Sequence, residues 1–100
     1  MIISLDTECT GIDLAHGAKP FLVTTCEDNG IIRFWEWYVD PLTREPSIPD
    51  SDLVEIINLI NSTDLIYLQN AKFDRRALLS IGIDLPWNKV RDTLVMGHLL

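Results

Sequence analysis

The stretch Leu65-Ile66-Tyr67-Leu68-Gln69-Asn70-Ala71-Lys72-Phe73-Asp74-Arg75-Arg76-Ala77-Leu78-Leu79-Ser80-Ile81-Gly82 decides the architecture. Its first four residues are an apolar run of the length expected for a buried strand. From Asn70 the period changes. Asp74, Ala77, Leu78 and Ile81 fall at i, i+3, i+4 and i+7, which predicts a helix starting near Asn70 and stopping at Gly82. Asn is among the best helix N-caps, and a glycine in the left-handed region is a common helix stop. A buried strand running straight into an amphipathic helix is the unit from which parallel sheets are built.

Working outward, Leu53, Ile56, Ile57 and Ile60 repeat at helical spacing, with Asp52 and Glu55 placed as a capping pair. Downstream, Pro86 and Trp87 lead to a brief extended segment around Val90, and Asp92-Thr93 opens a helix still running at Leu100. That helix meets neither a cap nor a breaker, so the fold is expected to continue past Leu100. Upstream, the run of turn residues from Asp40 to Asp50 reads as an internal connection. Three strand candidates precede it: Ile2 to Asp6, Phe21 to Cys26 and Ile31 to Val39. Asp28-Asn29-Gly30 carries an Asn-Gly turn signal, so the last two form an antiparallel hairpin. The expected class is α/β: a mixed sheet in the order β-β-β-α-β-α-β-α, with helices packed on it.

One hundred residues make one small domain or part of one. Hydrophobic residues at 47% and charged residues at 23% describe a globular chain, not a disordered one. No apolar run approaches the ~18 residues of a membrane span, and the first residues lack the basic flank of a signal peptide. A cytoplasmic location is expected. Cys9 and Cys26 have neither metal-site spacing nor the density of a disulfide scaffold, and read as reduced thiols. The net charge of −7 argues against a module that wraps nucleic acid electrostatically. An acidic chain can still act on nucleic acid where divalent cations offset its carboxylates.

The carboxylates stand in awkward places. Asp6 and Glu8, at the end of the first strand, point to one side of it, about 6–7 Å apart along the backbone. Two like charges after apolar Ile2, Ile3 and Leu5 repel unless a cation lies between them. A strand end fading into a solvated turn is the alternative, but Asp-x-Glu ahead of Thr10-Gly11 favours metal. Asp74 lies on the apolar stripe of its helix, a costly position for a carboxylate that is neither paired nor coordinated. Its plain alternatives are an ion pair with a distant base or a helix-edge position reaching water.

Taken together these residues carry a resemblance. Leu5-Asp6-Thr7-Glu8-Cys9-Thr10-Gly11 resembles the first motif of the DEDD group of 3′–5′ exonucleases, which use four catalytic acids. Asn70-Ala71-Lys72-Phe73-Asp74 resembles their second motif, and the element order resembles their ribonuclease-H-like fold. Asp92-Thr93-Leu94 is similar to the Asp-Thr step in the proofreading exonuclease domains of family A DNA polymerases, phage-type enzymes above all. The resemblance implies that Asp6, Glu8 and Asp74 are catalytic metal ligands for two divalent cations, Mg²⁺ or Mn²⁺. Asp6 would bridge both ions, and Asp74 would hold the second largely through water. It further implies that Thr10, Ile12 and Asn70 contact the terminal nucleotide of a single-stranded DNA 3′ end, and that a polymerase domain lies downstream.

The family's third motif, a Tyr or His with the fourth Asp, would lie past residue 100. Residues 1–100 are therefore expected to form the N-terminal part of such a domain, poorly active alone. Asp92 reads more simply as the N-cap of the final helix, and His98 as a partly buried core residue. Lys72, Arg75 and Arg76 either touch phosphates or form a solvated helix face. Two rivals stand beside the proofreading reading: an exoribonuclease of the same fold, and a non-catalytic interaction module on the same scaffold.

Overall fold

The structure, a computed structural model, describes residues 1–10 and 18–93. Five strands form one mixed sheet: β1 (Ile2–Cys9), β2 (Pro20–Glu27), β3 (Ile32–Glu36), β4 (Leu65–Leu68) and β5 (Val90–Asp92). Two helices, α1 (Asp50–Ser62) and α2 (Ala71–Leu79), flank β4 in the chain. The spatial order β3-β2-β1-β4-β5 departs from chain order, because β1 takes the centre. β1–β2 and β2–β3 pair antiparallel, whereas β4 runs parallel to both β1 and β5. This is an α/β fold, as the sequence pattern predicts. The expected final helix, with Leu94 and His98, lies outside the described residues.

Alternation along the strands separates two faces. Ile3 and Leu5 of β1, Val23 of β2, Trp35 of β3, Ile66 and Leu68 of β4 and Val90 of β5 are buried in one core. The same core takes in Ile56 and Ile60 of α1 and Ala71 and Leu78 of α2, so both helices cover that face. On the other face Ser4, Asp6 and Glu8 of β1 are exposed, with Cys26, Ile32 and Phe34.

Several boundaries differ from expectation. β1 runs on to Cys9, since pairing with β2 continues through Thr7↔Val23 and Glu8↔Leu22, and both acids therefore sit within the strand. The register then slips to Cys9↔Pro20 and leaves Phe21 as the extra residue of a bulge. β3 stops at Glu36, its last partner on β2 being Leu22. The Asp52–Glu55 capping pair does not form. Pro49 is the N-cap of α1 and offers no side-chain bond, while the Asp52 carboxylate accepts the Trp37 indole N–H at 2.8 Å. Burying Trp37 requires a partner for that N–H, and Asp52 is the one within reach.

α2 is closed at both ends as its sequence predicts. Asn70 accepts the Phe73 N–H in its side chain. At the far end the Ile83 N–H bonds Leu78 O and the Gly82 N–H bonds Leu79 O, the paired bonds of a Schellman stop. Gly82 has φ +90°. No atom crowds its missing side chain, so the constraint there is backbone conformation alone. Gly82→Ala is expected to cost about 1–2 kcal/mol, seen as a lowered midpoint in urea with the slope unchanged.

Candidate functional site

Because β1, β4 and β5 are parallel, their C-terminal ends share one edge of the sheet. Ligands of open α/β sheets usually bind beyond such an edge. Asp6 and Glu8 lie toward the end of β1, Asn70 follows β4, and Asp92 ends β5. The acids of the sequence pattern thus come to the same end of the molecule, but not to one face.

Asp6 and Glu8 point to the open face, and the Asp6 carboxylate accepts the N–H of Thr7 at 3.0 Å. Asp6 also lines a cavity of about 250 Å³ with Ser4, Thr24, Tyr67, Gln69 and Thr93. Asp74 lies on the covered side, only 3% exposed. Its carboxylate accepts the hydroxyl of buried Thr7 at 2.7 Å. The residue between the two open-face acids therefore holds the third acid from behind. Among the described residues no group of three or more His, Cys, Asp or Glu side chains stands close enough to hold a metal ion.

Electrostatics couple what the sheet separates. Burial pushes the Asp74 carboxyl above its ordinary range, and the negative charges of Asp6 and Asp92 push the same way. The Thr7 hydroxyl and the Asn70 backbone oppose that shift without cancelling it. Burial likewise raises the Cys9 thiol, helped by the charges of Asp74 and Glu8 against a bond to Thr7. Cys9 is thus disfavoured as a thiolate, and it is a free thiol, as its reading as a reduced cysteine expects. Cys26 is free as well.

The remaining expected residues divide. Asn70 acts as the cap of α2. Thr10 closes the β1–β2 end, its N–H bonding Lys19 O at 2.9 Å and its hydroxyl accepting the Lys19 N–H at 3.1 Å. Ile12 lies outside the described residues. Arg75 lies over the Trp87 ring at 5.1 Å and pairs with Asp84 at 3.7 Å, while Lys72 and Arg76 are exposed.

Asp92 shows a role that sequence reasoning missed. Its carboxylate accepts the Ala71 N–H at 3.1 Å, giving the first turn of α2 a second capping acceptor from the end of the neighbouring strand β5. Thr93 donates its hydroxyl to Leu68 O at 3.2 Å and ties the same two strands. Comparison with protein-family models and with curated proteins gives no match. Among the described residues no helix is long and apolar enough to cross a membrane.

Proposed function

We propose that the chain is part of a metal-dependent 3′–5′ exonuclease of ribonuclease-H-like fold, acting on a DNA 3′ end beside a polymerase domain. One observation carries the reading. Asp74 is a buried carboxylate whose ionisation is resisted by burial and by the charges of Asp6 and Asp92. Such an arrangement costs stability unless a cation or a proton offsets the charge, and carboxylates perturbed in this way cluster at functional sites. Asp6-x-Glu8 and Asn70-x-x-x-Asp74 are the motifs expected of that chemistry.

Carboxylate oxygens are the donors preferred by Mg²⁺ and Mn²⁺. Exposed Asp6 and Glu8, on one face of β1, suit direct ligation, and Asp74 would act through water. Bound there, the ions supply an activated water and neutralise charge on the leaving oxygen. Two of them would offset four of the seven net negative charges. The chain's own contribution is positional. Thr7 fixes the Asp74 carboxylate, Asp92 and Asn70 fix the first turn of α2 that carries it, and strand pairing fixes Asp6.

The test is release of mononucleotides from single-stranded DNA labelled at its 5′ end. It uses these residues together with whatever sequence accompanies them in their source protein. Stepwise shortening with Mg²⁺ and none with EDTA is expected. Absence of shortening under both conditions rejects the reading, and preference for a matched oligoribonucleotide transfers it to RNA processing.

A further inference from the structure

Beyond the acids, the end of β1 opens into a second concavity that they do not use. Thr10, Phe21, Val39, Asp40, Pro41 and Arg44 line an open groove of about 570 Å³. Thr10 stands two residues beyond Glu8, so the groove begins about 6–7 Å further along the backbone from the acids. Phe21 is half-buried and reaches the groove because the β-bulge leaves it unpaired with β1.

The opposite wall is built, not slack. The segment 38–47 folds back on itself through the Val39↔Pro46 bridge, with Asp40 N–H on Glu45 O at 3.1 Å and Ser47 N–H on Tyr38 O at 2.8 Å. The Asp40 carboxylate is turned to the N–H groups of Leu42 and Thr43, at 2.8 and 3.1 Å. Lys19 binds Glu45 at 2.8 Å and clamps this wall to the start of β2. Arg44 is the one cation among the described lining residues, and it is held at φ +60°, a conformation unfavourable for a side chain of its kind. Glycine would take that position without strain.

We propose that this groove holds single-stranded nucleic acid behind the scissile end, with Phe21 and Pro41 stacking a base and Arg44 meeting a phosphate. An aromatic ring and a guanidinium lining one groove are residue types that sequence-independent single-strand binders use. Continuity with the acid end through Thr10 sets the direction: the 3′ end lies at Asp6 and Glu8, and the preceding nucleotide in the groove. The inference rests on the exonuclease reading and adds where the strand runs.

The experiment measures fluorescence anisotropy of a short labelled oligo-dT with this chain, in EDTA and low salt. Phe21→Ala is expected to weaken binding at least about 5-fold, from the lost stacking of one base. Arg44→Gly is expected to weaken it and to lower the slope of log Kd against log salt by about 0.7. The Arg44→Gly variant should melt no lower than wild type, since it relieves backbone strain, which separates a binding role from a structural one. Wild-type affinity in Arg44→Gly, or no oligonucleotide binding at all, overturns the proposal. Groove-dependent binding without metal-dependent mononucleotide release would sustain the groove and reject the exonuclease reading. Hydrolysis indifferent to Phe21 and Arg44 would do the reverse.

Discussion

Asp6→Ala is expected to lower metal-dependent mononucleotide release by more than ~100-fold while leaving the thermal midpoint near that of wild type. The two halves of that result have separate physical origins. Asp6 is exposed on the open face, where its carboxylate accepts the N–H of the next residue. Truncating an exposed strand residue changes stability by a few tenths of a kcal/mol, unlike a core truncation. On the proposed reading Asp6 would be a metal ligand, and its loss would remove charge stabilisation from the transition state, each factor of ten corresponding to about 1.4 kcal/mol of barrier. Removing Asp6 also takes one like charge away from Asp74, which favours the fold slightly. Activity within a few-fold of wild type would show that Asp6 holds no catalytic metal. A large fall in melting temperature would show that its role is structural instead.

How much of the fold and site is legible in the sequence depends on whether the information is local. The β4–α2 unit can be read because a four-residue apolar run and a 3.6-residue stripe are properties of adjacent residues. Asp74 stands out for the same reason: a carboxylate on an apolar stripe is visible without any partner. Its partner is not. Thr7 lies 67 residues away and meets Asp74 only because β1 occupies the centre of the sheet. Strand alternation places Thr7 on the face opposite Asp6 and Glu8, so the separation of the acids is implicit in the spacing that draws attention to them.

Asp52 shows the converse. Its spacing to Glu55 satisfies a local capping rule, but a buried indole N–H competes for the same carboxylate and is satisfied by it. Asp92 has the local signature of a cap for a helix C-terminal to it, which would begin at Thr93 and run outside the described residues; parallel pairing of β5 with β4 also brings it to the start of α2, a contact with no local signature. The groove beside Thr10 depends on a bulge and a folded-back connection, neither of which has a signature in hydrophobic period.

Asp74→Asn is expected to raise stability at neutral pH in EDTA while lowering mononucleotide release by more than ~100-fold, two effects of opposite benefit from one atom exchange. Asparagine keeps an oxygen to accept the Thr7 hydroxyl and removes the charge that burial, Asp6 and Asp92 all disfavour. The folded-state carboxyl of Asp74 titrates above the ordinary 3.8, so the folded state holds its proton more tightly than the unfolded chain. Its favourable contribution is therefore complete below pH 3.8 and is lost as pH rises through the higher folded value. An amide has no such dependence. The excess in melting temperature of Asp74→Asn over wild type should consequently be largest near pH 7 and should shrink on acidification toward the unfolded carboxylate range. For a domain of this size each kcal/mol moves the midpoint by roughly 4–8 °C, which is easily resolved. Adding Mg²⁺ supplies the decisive contrast. Ions held with the help of Asp74 bind the folded state alone, so they should raise the wild-type midpoint more than that of the variant and narrow the gap between them. A variant less stable than wild type at pH 7 would mean that the ionised Asp74 is a net structural asset, and the case for a carboxylate held against its preference for catalysis would fall with it.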